Sequence, residues 1–244
     1  MQPSFPLIGT PMRLLINTAL TALFSLGLLA LLTGLYRSAE QRRGAAATGA
    51  GGQRIEQTLK QDPRRRSAER RSFTREFLFG VLAALVVVVT RALFAAAAWN
   101  PLHAALLVVS VAALSEESGK LAALGLSRIG RGPLGFSEAV AAGAALGLGF
   151  ALVENSWYVT ERILPLLFRG FTAVPLHAVA AGFLGWGVAS PLRPVRLLPA
   201  WLTAILLHAV YNAMIASGGL LAPFTVVLIG IGAALLLAIT AAAD

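Results

Sequence analysis

The chain has 244 residues, of which 57% are hydrophobic and only 13% charged, and its mean hydropathy is +0.75. Soluble domains carry about 25% charged residues, so this composition excludes a water-soluble globular domain and makes the bilayer the solvent. There is no cysteine, which excludes disulfides, thiolate metal sites and cysteine nucleophiles.

Seven apolar segments follow one another along the chain, and each is long enough to cross a hydrocarbon core of about 30 Å as a helix. They are residues 14–36, 77–98, 102–126, 139–159, 171–189, 197–217 and 221–243. Lipid offers the backbone no hydrogen-bond partner, and the alternating pattern of a β-barrel is absent from the sequence. The sequence therefore predicts an all-α fold, a polytopic transmembrane helix bundle of about seven spans.

A charged segment separates the first apolar segment from the other six. Residues 37–76 hold 11 basic side chains against 5 acidic ones and include a glycine- and alanine-rich tract. We interpret residues 1–36 as an N-terminal transmembrane anchor, 37–76 as a basic flexible cytoplasmic linker, and 77–244 as a six-helix membrane core. The linker suits a topology determinant, with contact to anionic lipid headgroups as the alternative. No nucleic-acid partner is expected, because no aromatic residue interrupts the arginine cluster to stack on bases.

The distribution of basic residues predicts the orientation. With the linker in the cytoplasm, 15 basic residues lie inside and three outside, as the positive-inside rule requires. The N-terminus is then outside and the C-terminus cytoplasmic. Arg91 lies within the second span, and we expect its side chain to snorkel towards the outer interface.

Ionisable side chains within the spans mark the candidate site, because a charge at the bilayer centre costs about 2.5 to 3.5 kcal/mol. Of the 11 acidic residues, three lie within spans: Glu116, Glu117 and Glu154. Two of the three histidines, His177 and His208, also lie in mid-span. Packing alone would explain any one of these residues. Four consecutive spans that each contribute an ionisable group favour a functional site.

Helical spacing groups these residues further. Glu116 and Glu117 lie four and three residues before Lys120, so the three side chains share one helix face. Lys120 can pair with at least one carboxylate while the two acids repel each other, which suits a general base; a purely internal ion pair is the alternative. His208 and Asn212 are four residues apart and point the same way, as two donors to a carbonyl oxygen would need to.

Helix packing adds two expectations. Gly143-x-x-x-Gly147 predicts a close helix–helix approach. Counted at about 1.5 Å per residue from the predicted outer ends, Glu116 lies more than 10 Å deeper than Glu154. Contact between these two acids therefore requires helix tilt, a shifted third span, or unwinding around Ser118-Gly119.

The order of these motifs resembles the PrsW family of intramembrane proteases, which is similar in turn to the CAAX prenyl endopeptidases. In chain order the motifs are Glu-Glu-x-x-Lys (116–120), Phe-x-x-x-Glu-Asn (150–155), Arg169 with Pro175-x-His177, and His-x-x-x-Asn (208–212). The resemblance covers roughly residues 77–212. It implies a peptidase of the bacterial plasma membrane that acts on membrane-tethered protein substrates such as anti-sigma factors.

Carried onto this sequence, the resemblance implies that Glu116 activates water, with Glu117 and Glu154 as neighbouring acids. His177 and His208 would then be oxyanion donors, or ligands of a metal. The remaining motif residues are expected to complete or support the site: Asn212 as a further donor, and Lys120, Phe150, Asn155 and Arg169 as supporting residues.

The resemblance leaves the metal open. Two histidines and a glutamate, His177, His208 and Glu154, would suit a divalent metal such as zinc. A metal-free mechanism is favoured, because histidines on different spans offer no local spacing test and no short zinc motif such as His-Glu-x-x-His is present.

Two other classes of function compete with a peptidase. An ion- or proton-coupled transporter also uses buried Glu and His relays, but paired discontinuous spans or an inverted repeat are not apparent. A non-catalytic membrane scaffold is expected to lack a motif position, and all the motif positions are present.

Overall fold

The computed structural model describes residues 10–48, 73–97, 101–130, 132–157, 163–189, 193–217, 219 and 221–243. Within these ranges the chain is helical apart from short turns, and no strand occurs there, which confirms the predicted all-α class. The helices are α1 (Thr10–Thr48), α2 (Thr74–Ala97), α3 (Pro101–Ser127), α4 (Phe136–Trp157), α5 (Ile163–Ala189), α6 (Arg193–Ala216) and α7 (Thr225–Ala241), with a short 3-10 turn, Ala222–Phe224, before α7.

Six of these helices are long and apolar enough to cross a membrane, which agrees with the predicted polytopic bundle. The side chains of α3 are described from residue 111 onwards, and within that part α3 is not among the six. This helix carries Glu116, Glu117 and Lys120. Its 27 residues correspond to about 40 Å of helix, which is long enough to reach across the hydrocarbon core.

The largest differences between the predicted and the observed helix ends occur at two places. α1 continues to Thr48, so residues 37–48 are helical where a flexible linker was predicted. This stretch is rich in alanine, arginine, glutamate and glutamine, which have high helix propensity. α5 begins at Ile163, not at residue 171, because Arg169 lowers local hydropathy without interrupting the helix. Residues 49–72 of the predicted linker lie outside the described residues, and its last three residues, 74–76, belong to α2.

The centre of the bundle is α4, whose small residues let its neighbours approach closely. A Cβ atom at Gly147 would overlap the carbonyl oxygen of His177 on α5, and one at Gly143 would overlap that of Ala181. On another side of α4, a Cβ at Gly149 would overlap the carbonyl oxygen of Phe77 on α2. The predicted close approach at Gly143-x-x-x-Gly147 is therefore confirmed, and it lies between α4 and α5.

No unwinding of α3 is needed to bring the acids together. α3 is continuous through Ser118 and Gly119, so that alternative is wrong. Gly119 packs against α2 instead, because a Cβ there would lie 2.8 Å from Val87 Cγ2. The face of α3 that carries Gly119 therefore packs against α2.

Candidate active site

The ionisable side chains of four helices meet in one buried cluster. Their accessible fraction is 6% or less, and they are Glu116, Glu117 and Lys120 from α3, Glu154 from α4, His177 from α5 and His208 from α6. The two imidazole rings lie 5.1 Å apart, with an angle of 89° between their planes. The predicted convergence of the third to sixth spans is therefore confirmed.

Lys120 lies at the middle of this cluster and is fully buried. Its Nζ donates to Glu117 Oε1 at 2.7 Å and lies 2.8 Å from His177 Nδ1. The ammonium also lies 4.4 Å from the centre of the Phe150 ring, in cation–π geometry. A buried ammonium is costly unless it is paired and hydrogen-bonded, and these three partners make it tolerable here.

Glu117 links Lys120 to the second histidine. Its Oε1 also lies 2.7 Å from His208 Nδ1, so one carboxylate oxygen joins α3 to α6. Because an ionised carboxylate only accepts hydrogen bonds, this contact places the His208 ring proton on Nδ1. The other ring nitrogen, Nε2, then faces Glu116.

Glu116 has two carboxylate oxygens in different surroundings. Oε1 accepts a hydrogen bond from Arg91 of α2. Oε2 is buried, has no hydrogen-bond partner among the described residues, and lies 3.6 Å from His208 Nε2, which is too long for a direct hydrogen bond. Of the two oxygens, Oε2 is therefore the one available for chemistry.

The position of Arg91 corrects the sequence analysis, which expected its side chain to snorkel to the interface. It is only 24% exposed and pairs with Glu116. The sequence does contain a signal for this pairing: an arginine within a span needs a partner, and an acid on a neighbouring span is the natural choice.

Glu154 lies between His177 and Arg169. Its Oε2 is 2.6 Å from His177 Nε2, and its Oε1 accepts from Arg169 at 3.5 Å. Arg169 Nε also donates to Asn155 Oδ1 at 2.9 Å. The backbone carbonyl of Asn155 accepts from Asn17 of α1 at 3.0 Å, a contact that the motifs did not indicate.

Asn212 lies on α6 one turn after His208 and is half-buried. Residues four apart share a helix face, so its amide lies on the side of the cluster. Its role as a donor stays a prediction.

The cluster is electrically balanced by three acid–base pairs: Glu116 with Arg91, Glu117 with Lys120, and Glu154 with Arg169. Three carboxylates thus face three side-chain cations, so these charges balance when both histidines are neutral.

A family model described as the PrsW family intramembrane metalloprotease matches residues 69–240, which include every residue of this cluster. The chain belongs to the PrsW family. It is therefore an intramembrane protease and an integral membrane protein, which confirms the predicted enzyme class. The chain matches none of the curated proteins and none of the solved structures with which it was compared.

The description of the PrsW family as metalloproteases makes the ligand set of this chain important. One oxygen of Glu116 and one ring nitrogen each of His177 and His208 lie within 4.8 Å of one another. Two histidines and a carboxylate are a donor set that catalytic zinc uses. The prediction named Glu154 in place of Glu116, whereas in the structure Glu154 is engaged by His177 and Arg169.

Two members of this group fit a metal and the third does not. Glu116 Oε2 has no partner, and Glu117 holds His208 Nδ1 so that Nε2 is free, as is usual for a metal-bound histidine. His177 has both ring nitrogens engaged, Nδ1 by Lys120 and Nε2 by Glu154. As the side chains stand, the three-ligand set is incomplete.

Proposed function

We propose that this PrsW-family protease cleaves peptide bonds of membrane-tethered protein substrates, with Glu116 as the base that activates water. The observation that carries the proposal is the pair of facing atoms Glu116 Oε2 and His208 Nε2, 3.6 Å apart. Both atoms are hydrogen-bond acceptors when His208 carries its proton on Nδ1. A water that donates to both would direct its lone pair at a scissile carbonyl.

The remaining residues have supporting roles in this mechanism. After attack, Glu116 holds the proton taken from water and delivers it to the leaving amine. Asn212 would donate a hydrogen bond to the carbonyl oxygen as negative charge develops on it, whereas the N–H of His177 is already directed at Glu154. Glu117 orients His208, and Glu154 acts on His177 in the same way.

A metal ion enters none of these steps. Glu116 and His208 could hold a divalent ion such as zinc, but His177 would have to lose a present partner to become a third ligand. We therefore place the chemistry on the chain's own carboxylates and histidines.

The proposed orientation rests on the distribution of charge, and the proposed substrate class rests on family membership. We place the protein in a bacterial plasma membrane, with the N-terminus outside, the C-terminus in the cytoplasm, and a basic linker between the first helix and the protease core. Proteins anchored by a membrane span, such as anti-sigma factors, are the proposed substrates, because the cluster is built from helices within the bilayer.

Replacement of Glu116 by Gln tests the role of the base. The purified protein is reconstituted in liposomes with a panel of membrane-anchored peptides that carry a fluorophore and a quencher. Glu116→Gln keeps the size of the side chain and removes the base, so cleavage should fall below about one-tenth of wild type. Glu138→Gln, the same change in the first turn of α4, is the matched control and should cleave normally.

Two outcomes would contradict the proposal. Glu116→Gln that keeps more than about a tenth of the activity, with the protein folded, would move the base to Glu117 or Glu154. Wild-type protein that cleaves no member of the panel but carries protons or ions across the liposome membrane would favour the transporter alternative.

A further inference from the structure

The two buried histidines have different neighbours at their ring nitrogens. These neighbours determine which nitrogen of each ring carries the proton. Neutral imidazole carries one proton, and its position is set by the partner of each nitrogen. In this cluster all four ring nitrogens have a protein group nearby, so the structure constrains both tautomers.

For His177 the constraint comes from a group that can only donate. Lys120 Nζ lies 2.8 Å from Nδ1 and 2.7 Å from the carboxylate of Glu117, so it is an ammonium without a lone pair. Nδ1 must therefore be the acceptor, and the ring proton must be on Nε2.

The other side of the His177 ring leads to the same tautomer. Nε2 lies 2.6 Å from Glu154 Oε2, and a lone pair on Nε2 would face a carboxylate oxygen at that distance. A proton on Nε2 removes this repulsion and makes the contact attractive.

For His208 the constraint comes from a group that can only accept. Glu117 Oε1 lies 2.7 Å from Nδ1, which places the proton there. Nε2 is then left with a lone pair, and its nearest carboxylate oxygen, Glu116 Oε2, is 3.6 Å away.

We infer that His177 and His208 are fixed in opposite tautomers, and that Lys120 and Glu117 are the positioning residues that fix them. His177 directs its N–H at Glu154, and His208 directs a lone pair towards Glu116. The consequence for metals is that His208 can bind one through Nε2, whereas His177 has no free lone pair while Lys120 is in place.

The two tautomers give the two rings different roles in the reaction, and this consequence rests on the proposed function. An attacking water needs an acceptor, which Nε2 of His208 supplies, whereas the N–H of His177 is directed at Glu154 and holds that ring in place. The sequence analysis gave both histidines the same role, because sequence does not show what each ring nitrogen contacts.

The test is the ¹⁵N NMR spectrum of histidine-labelled protein in lipid nanodiscs at neutral pH. The chain has three histidines, and His103→Gln leaves only His177 and His208. The expected spectrum contains one ring protonated on Nε2 and one protonated on Nδ1. Two rings of the same tautomer, or either ring doubly protonated, would overturn the inference. This spectrum needs no substrate, so it can fail or succeed independently of the proposed function.

Added Zn²⁺ then tests the role of Lys120. In the His103→Gln protein, Zn²⁺ should leave the His177 signals unchanged; a shift of these signals would refute the inference. Lys120→Met frees Nδ1 of His177, whose signals should then respond to Zn²⁺, and a ring that still does not respond would show that Lys120 is not what protects it. Lys60→Met, at the other lysine of the chain, is the matched control.

The same variant gives a kinetic readout. Lys120→Met should lower kcat by about 10- to 100-fold with KM nearly unchanged, because it removes the partner that positions Glu117 and His177 and does not alter substrate binding. Loss of a correct tautomer costs up to about 10⁴ in kcat in serine protease triads, which sets the upper bound. If kcat is unchanged in a variant whose His177 responds to Zn²⁺, the tautomer of His177 does not affect the reaction.

Discussion

Gly147 lies where α4 touches the backbone of His177, so replacement of Gly147 by Ala tests whether the cluster depends on this packing. The added Cβ would lie 2.6 Å from the carbonyl carbon of His177 and even closer to its oxygen. Ordinary van der Waals contact begins at about 3.4 Å, so α4 and α5 must separate by at least about 0.8 Å.

This separation is large on the scale of the site. Glu154 is on α4 and His177 is on α5, so their 2.6 Å contact would lengthen to roughly 3.4 Å, beyond the usual hydrogen-bond range. A misplacement of about 1 Å can cost around 10²-fold in rate, and overpacking of a tight core costs about 1 to 3 kcal/mol. We expect Gly147→Ala to show both losses.

The measurements are peptide cleavage in proteoliposomes and thermal unfolding in detergent. Gly230→Ala in α7 is the matched control, because nothing lies within 4 Å of the Cβ that it adds. Since alanine is the better helix former by up to about 1 kcal/mol, the control should be neutral or slightly more stable. If Gly147→Ala matches Gly230→Ala in both rate and unfolding temperature, the α4–α5 contact does not position His177 and the reasoning is refuted.

Three further predictions concern the metal, Arg91 and the orientation. His208→Ala should lower the rate by about 10²- to 10³-fold. Active wild-type protein should contain substoichiometric metal by elemental analysis and should resist chelators. A stoichiometric metal that is lost in His208→Ala would establish a metal mechanism. Arg91→Met should lower kcat by about 10-fold or more because Glu116 Oε1 loses its partner, whereas Arg91→Lys should retain most of the activity; equal rates in the two variants would show that the charge is unimportant. A reporter that functions only in the cytoplasm should be active when fused to the C-terminus, and the opposite result would reverse the proposed topology.

The fold class could be predicted from the sequence because the bilayer leaves few alternatives. Long apolar segments in lipid must satisfy their backbone internally, so helices follow from composition alone. The helix ends were less accessible, since residues 37–48 and Arg169 are polar and yet helical. Hydropathy reports where lipid contacts the chain, whereas a helix continues wherever its backbone bonds and side chains allow.

The membership of the site was equally accessible from the sequence. A charged group within a span is costly, so Glu116, Glu154, His177 and His208 stood out without any structure. The roles of these residues could not be predicted from the sequence, because a role depends on which atom of one side chain faces which atom of another. The sequence alone predicts that Arg91 extends to the interface, whereas in the structure it pairs with Glu116.

The sequence by itself therefore determined that this protein is a membrane-embedded helix bundle with an acid–histidine site, since the energetic cost of charge in lipid is readable residue by residue. Only the tertiary structure decided that each carboxylate pairs with its own cation, and that Glu116 faces His208 whereas Glu154 faces His177. Hydrogen bonds act over about 3 Å between side chains far apart in sequence, and no local spacing encodes them.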